Sequence, residues 1–310
     1  MRDKIYLVGF LIAAGILLYL GHDLVRGNVI VAWGLTFAGT ATAAVLVVVV
    51  YRFRTELEAS RLELARKEAE LSFAHKVQQA LFPHQLPSGK GLEISATCVP
   101  ARGISGDYYD VLELPGGSVA LAIADISGKG ISAAILMANL QALLRVLSPL
   151  ASSPSDICSQ LNHHLYKVTE NTRFATLFYG EWHPQERRFR YVNAGHNPPF
   201  LLSGNGTLQL DRGGIPLGIM PASDYEIGEV RLQPGDVLVL YSDGITEAGL
   251  SEEKEFGTRR LSELVASCRG CAPAEIQARV MEAVKAWWEK EPEDDMTLVV
   301  ARVMAQAEIP

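Results

Sequence analysis

Two apolar runs without a charged residue open this chain and limit what its first fifty residues can be. Residues 5–21 read IYLVGFLIAAGILLYLG, seventeen residues, and residues 29–51 read VIVAWGLTFAGTATAAVLVVVVY, twenty-three. A helix of about 20 apolar residues crosses a bilayer, so the second run is long enough and the first is marginal. Only HDLVRGN separates them. Arg2 and Lys4 precede the first run; Arg52, Arg54 and Arg61 follow the second. Basic flanks favour the cytoplasmic side. The pattern predicts a two-span hairpin over 1–51 in the cell membrane, with both ends and everything after them cytoplasmic. A cleaved signal peptide fits less well, because a longer apolar run follows and no small-residue cleavage site leads into a polar domain. The four cysteines then sit in a reducing compartment, where disulfides are not expected.

Residues 52–82 contain no Gly and no Pro and are rich in Glu, Ala, Leu, Arg and Lys, all good helix formers. Leu57, Leu64 and Leu71 recur every seven residues and are followed by Gln78. The intervening positions Ser60, Lys67, Ala74 and Leu81 are only half apolar. This weak heptad predicts a helical linker over 52–87 that pairs with a second copy as a parallel coiled coil, against the plainer alternative of a solvated helix. Pro83 and Pro87 stop it.

From residue 92 the period changes. LEISATCV (92–99), SVALAIAD (118–125), FATLFYGEW (174–182), RRFRYVNA (187–194), DVLVLYS (236–242) and TLVVARV (297–303) read as strands. Helical patterns fill 129–147, 154–169, 259–267 and 273–289, and Gly and Pro punctuate 195–221 into loops and short strands. Helices arrive in consecutive pairs between groups of strands. That excludes a βαβ alternation and predicts an α+β domain over 88–310, with antiparallel sheets covered by helix pairs. The charge sum of −7, from 28 Lys and Arg against 35 Asp and Glu, comes with no basic block. Nucleic acid is therefore not an expected partner, since phosphate contacts need clustered cations.

Four acidic positions abut apolar strands: Asp107 in SGDYYD, Asp125 in ADISGKG, Asp243 in YSDG and Asp294 in EDDMT. One Asp beside a Gly marks a turn. Four at strand ends can converge on one sheet edge, where like charges need a hard cation to neutralise them. Oxygen donors without His or Cys favour Mg²⁺ or Mn²⁺ over Zn²⁺.

These motifs resemble, in order, a known family. QQALFPHQLP (78–87), ARGISGDYYDV (101–111), IADISGKGISAAILMA (123–138), FATLFYG (174–180), NAGHNPPF (193–200), GIPLGI (214–219), LYSDGITEA (240–248) and DDMTLVV (294–300) together look like a PPM-type, protein phosphatase 2C-like Ser/Thr phosphatase of the bacterial SpoIIE/RsbU branch. The resemblance covers about residues 75–304 and leaves the apolar hairpin outside. It implies an antiparallel β-sandwich with a helix pair on each outer face. It implies a metal-dependent protein phosphatase that hydrolyses phosphoserine or phosphothreonine on a regulatory protein of the anti-anti-sigma type, by a metal-activated water and with two Mn²⁺ or Mg²⁺ ions. Asp125 would bridge the two ions, the Ile126 carbonyl would be a further ligand, Asp243 and Asp294 would complete the shell of the second ion, and Asp107 would lie close by, binding metal directly or through water. Asp295 stands where relatives often carry Asn, which places it behind the ligands. Arg102, five residues before Asp107, matches a phosphate-binding Arg of eukaryotic relatives and could clamp a phosphoryl group; the plainer alternative is a surface Arg at an acidic rim.

Other candidates carry less. Cys268 and Cys271 form a CxxC without a second pair at zinc spacing. His163 and His164 are expected to pack on a helix, Asn193, His196 and Asn197 to hold a turn, Trp287 and Trp288 to line the last helix, and Asp110 to be structural. A catalytically inactive signalling module on the same fold, or a two-metal phosphodiesterase, are the competing functions.

Overall fold

The computed structural model describes residues 15–16, 19, 29–87, 90–101, 103–170, 172–204, 206–249, 255–288 and 294–305. By its internal contacts the chain divides into two compact units, Met1–Glu70 and Leu71–Pro310.

The expected first span lies outside the described residues except for Gly15, Ile16 and Tyr19, which are helical. Helix α1 runs unbroken from Val29 to Gln79, 51 residues, so the expected second span and linker are one helix. It is long and apolar enough to cross a membrane, and among the described residues it is the one helix of that kind. Its few hydroxyls turn inward on the backbone: Thr36 Oγ1 donates to the Ala32 carbonyl at 2.9 Å and Thr42 Oγ1 to Ala38 at 2.8 Å. Hydroxyls satisfied in this way by their own helix leave no donor in need of water. Beyond residue 52 the stabilising pairs are instead charged and one turn apart, Glu63 with Lys67 at 2.8 Å and Arg66 with Glu70 at 3.0 Å. Leu57, Leu64 and Leu71 are 42%, 58% and 40% exposed. Gln78, next in that register, is buried and bonded into the second unit. The seven-residue pattern therefore ends at Leu71.

In the second unit, β1 (Leu92–Val99), β11 (Met296–Val303), β10 (Val237–Tyr241), β6 (Phe200–Ser203) and β7 (Gly206–Gln209) form one antiparallel sheet in that order. The other sheet runs β2 (Asp107–Glu113), β3 (Val119–Ile126), β4 (Ala175–His183), β5 (Arg188–Ala194) and the two-residue β8 (Gly213–Gly214), with β9 (Gly228–Arg231) also on β5. Helices α2 (Ile131–Leu147) and α3 (Pro154–Thr169) pair on the second sheet; after the short α4 (Asp243–Thr246), α5 (Gly257–Ser267) and α6 (Pro273–Trp287) pair on the first.

The apolar runs explain this layering. In β10, Leu238 and Leu240 join the core shared by both sheets and α2–α3, while Val237, Val239 and Tyr241 join a second core with Leu261, Val265, Ile276, Val280 and Val284 of α5 and α6. A strand covered on both faces has no polar alternation, which is why DVLVLY reads as continuous apolar sequence. Burying each such Leu contributes about 1.5–3 kcal/mol. Ser153 caps α3 by accepting from the Asp156 N–H at 3.2 Å, with Pro154 in the first turn.

The expected strands and helices all appear within a few residues of the motifs. The strands absent from the sequence reading are β2 and the short β9. In β2, Asp107, Tyr108, Tyr109 and Asp110 are all buried, so a polar-looking stretch lies between covered faces. Asp110 is satisfied there by Arg145 of α2, Nε to Oδ2 at 2.7 Å and Nη2 to Oδ1 at 3.0 Å, and by the Tyr108 hydroxyl. This bears out its structural role. His164 packs the helix pair through Asn139 at 2.8 Å, and all four cysteines are free thiols. Trp287 sits at the rim of α6 with the Arg260 guanidinium 4.5 Å over its ring.

Candidate active site

Antiparallel pairing sets Asp107, the first residue of β2, directly opposite Asp125 near the end of β3. Asp243 follows β10 as the first residue of α4, and Asp294 precedes β11. The two sheets are stitched together at this end. Thr297 Oγ1 of β11 donates to Asp107 Oδ2 of β2 at 2.7 Å. Ser242 donates its N–H to the Thr297 carbonyl at 3.0 Å and its Oγ accepts from the Thr297 N–H at 2.9 Å. Gly244 lets α4 press against the next turn, since a Cβ there would lie 2.1 Å from the Asp295 carbonyl oxygen. The four carboxylates named by the strand-end pattern thus come to one end of the sandwich, two from each sheet.

Their electrostatics show that they share one environment. Burial pushes the Asp107 carboxyl well above the usual carboxylate range, and Asp125 adds to this; hydrogen bonds from Ser242 and Thr297 oppose it. Burial, then Asp243, Asp294 and Asp295, push Asp125 up to about 7, against the pull of Lys129. Asp243 is raised by burial and by Asp294, again opposed by Lys129. Clustered oxygens such as those of Asp107, Asp125 and Asp243, whose carboxyls resist ionisation, form a donor set suited to hard divalent cations. Among the described residues, no three His, Cys, Asp or Glu side chains are gathered tightly enough to make a finished metal cage. In their place Lys129 Nζ meets Asp294 Oδ2 at 2.7 Å. The Ile126 backbone lies at the same place: its N–H donates to the Gly106 carbonyl at 3.4 Å.

Asp295 has a different task from its neighbour. Oδ1 accepts from the Ala101 N–H at 2.8 Å, and Oδ2 accepts from the Gly106 N–H at 2.7 Å and from Ser105 Oγ at 2.9 Å. Both oxygens are occupied in holding the loop that leads to Asp107. Arg102 falls in this loop but lies outside the described residues.

Three contributors were not singled out by sequence. Gln78, at the end of α1, pairs its side-chain amide with the backbone of Ser105: Nε2 donates to the carbonyl at 2.7 Å and Oε1 accepts from the N–H at 2.8 Å. Its signal was a polar residue interrupting a leucine heptad. Lys129 stands inside the ISGKG motif, where the neighbouring glycines drew attention instead. Arg173 lies over Gly128, its Nη1 donating to the Ser127 carbonyl at 2.8 Å. A Cβ at residue 128 would sit 2.0 Å from that nitrogen, so the loop needs Gly there for the contact as well as for its φ of 97°.

His196 is buried and shares a hydrogen bond with Thr176 through Nδ1 at 2.8 Å. Its N–H donates to Asn193 Oδ1 at 2.7 Å, and Asn193 Nδ2 donates to the His196 carbonyl at 3.0 Å. The Asn193–His196 turn is therefore built as the sequence suggested.

Residues 115–304 match the sequence profile of a family described as Stage II sporulation protein E (SpoIIE). The phosphoserine phosphatase RsbU of Bacillus subtilis (strain 168) is 32% identical over 238 residues, covering 76% of this chain and 70% of RsbU. Two other curated relatives are matched over only 35% and 34% of their length. Among solved structures, the PP2C phosphatase domain with a regulatory fragment of SpoIIE from Bacillus subtilis superposes with a TM-score of 0.61 at 26% identity, over 68% of this chain and 63% of that one. The SiaA-PP2C domain of Pseudomonas aeruginosa gives 0.67 at 20% identity, over 77% and 98%, a likeness of fold.

Proposed function

This chain belongs to the SpoIIE family of PP2C-type serine phosphatases, and we propose that it is a membrane-tethered, metal-dependent protein phosphatase acting on phosphoserine or phosphothreonine of a regulatory protein. The observation that carries this reading is the convergence of Asp107, Asp125, Asp243 and Asp294 from both sheets on one end of the sandwich. The donor set is oxygen-only, which fits Mn²⁺ or Mg²⁺. Asp107, Asp125, the Ile126 carbonyl, Asp243 and Asp294 would hold two such ions. When bound, the ions supply charge neutralisation for a phosphoryl group and a water acidic enough to attack it. The chain's own residues do the rest. Thr297 and Ser242 orient Asp107; Asp295 and Gln78 fix the loop before it; Lys129 balances Asp294 until other cations arrive. Arg102 is assigned to the phosphoryl oxygens.

In this reading residues 1–51 form a two-span hairpin, 52–87 a linker able to pair with a second copy, and 88–310 the cytoplasmic phosphatase domain. The linker's last turn gates the site, because Gln78 grips Ser105 two residues from Asp107. The substrate is an anti-anti-sigma-type phosphoprotein, in keeping with the likeness to RsbU.

Phosphate release by the full chain in detergent, with EDTA, Mg²⁺ or Mn²⁺, tests this. Metal-dependent turnover should fall at least about a thousandfold in Asp125→Asn and Asp243→Asn, as loss of a metal ligand demands. Undiminished turnover in both variants overturns the reading. The competing reading is a partner-binding module without hydrolysis, against which the intact set of Asp107, Asp125, Asp243 and Asp294 speaks. Calorimetry showing no Mn²⁺ binding would establish it.

A further inference from the structure

Six large apolar side chains stand exposed on segments tied by hydrogen bonds and chain connection to the turn that follows Asp125. Ile131 and Ile135, one turn apart on α2, are 57% and 63% exposed; Phe174 is 40%, Ile215 42%, Ile219 43% and Met220 51% exposed. Monomers usually scatter such residues singly, and a contiguous group marks a contact surface.

Hydrogen bonds tie the group together and to the site. Ser127, two residues after Asp125, donates its N–H to the Phe174 carbonyl at 2.9 Å, and Phe174 returns its N–H to Ser127 Oγ at 2.9 Å. Ala175 and Leu217 exchange backbone bonds at 3.0 and 2.8 Å, which seats the 215–220 loop beside Phe174. Asn162 of α3 fixes that loop, accepting from the Gly218 N–H at 2.8 Å and donating to the Met220 carbonyl at 3.1 Å. Ile131 starts α2 just after the Ser127–Gly130 turn. The exposure is thus presented by a braced backbone. The site itself carries charge: Glu247 feels Asp243, Asp294 and Lys129, and Lys129 pairs with Asp294.

We propose that this apolar rim is the docking surface for the substrate protein, and that the partner is a folded protein whose phosphoserine lies beside an apolar surface of its own. The inference rests on the phosphatase reading and deepens it. The rim is continuous with the turn that follows Asp125, so a phosphoryl group reaching the carboxylates brings the surrounding protein surface over Phe174 and the 215–220 loop. The phosphoryl group would enter at the carboxylates, where bound cations would neutralise it, and the protein that bears it is read by the apolar side. Interfaces concentrate their energy in such apolar anchors within a polar ring.

The test compares two substrates of the full chain in detergent: a serine-phosphorylated anti-anti-sigma-type protein and p-nitrophenyl phosphate. The variant Ile135→Glu/Met220→Glu changes two exposed positions outside the site. Its kcat/KM on the phosphoprotein should fall about tenfold or more through KM, a loss typical of anchor residues. Its turnover of p-nitrophenyl phosphate should stay within about twofold of the parent. Leu150→Glu, 76% exposed beyond the far end of α2, should leave both unchanged. Equal losses on both substrates, or an unchanged phosphoprotein rate, overturn the docking surface alone. A fall from dimer to monomer in sedimentation, with phosphoprotein turnover kept, assigns the rim to a second copy and also overturns it. A parent chain that hydrolyses neither substrate overturns the phosphatase reading and the docking surface with it.

Discussion

His196 illustrates how a single side chain can be fixed by its surroundings while its sequence stays silent. Burial holds its imidazole down at about 4, from an ordinary 6.5. The folded chain therefore keeps it neutral where the unfolded chain would protonate it. Between those two values the unfolded state binds the extra proton, so stability is complete above pH 6.5 and falls as the pH drops toward 4, by roughly 3 kcal/mol in all. Asp125 works in the opposite sense without metal: with its folded value up at about 7, stability falls as pH rises from the ordinary carboxylate range toward neutrality. Comparing melting temperature against pH for the parent and His196→Gln isolates the first effect. The acid limb between pH 6.5 and 4 should flatten in the variant, and identical slopes would remove His196 from the account.

At the scale of elements, the joint between α1 and the loop before β2 is the most consequential. Gln78 satisfies both backbone groups of Ser105, and Phe82 packs on Tyr109 with ring centroids 5.3 Å apart. Gln78→Leu removes the amide and leaves a buried donor and acceptor without partners, which costs about 1–3 kcal/mol for each group. Amide exchange of the 103–107 stretch should speed at least about tenfold in that variant while α6 keeps its protection; equal protection in both would show that the helix end does not hold the loop. How much of this was legible follows from the kind of signal each element carries. β1, β3, β4, β5, β10 and β11 announced themselves because continuous apolar runs bounded by Gly and Asp have few other uses. β2 did not, because its two Asp are satisfied by groups distant in sequence, Arg145 and Thr297. Asp125 and Asp243 were legible as acids at strand ends. The grip of Gln78 and the cover of Arg173 on Gly128 were not, since both join residues 27 and 45 positions apart through contacts that leave no periodic trace.

For the whole molecule, the second unit has two cores, one between the sheets and under α2–α3 and one under α5–α6. Each can be filled without the other's help, since the strands shared by both face opposite ways residue by residue. The carboxylate site belongs to neither. Asp107 and Asp125 ride on one sheet, Asp243 and Asp294 on the other, and Thr297 and Ser242 join them only where the sheets meet. No fragment that preserves a single sheet holds a working set. Turnover is thus a clock for the closing of the sandwich. A refolding chain should regain its far-ultraviolet dichroism before it regains phosphatase turnover, because long-range sheet contacts form late. Simultaneous recovery of both would mean that the two sheets find each other as they form, and that the chain has no moment at which it is folded and chemically mute.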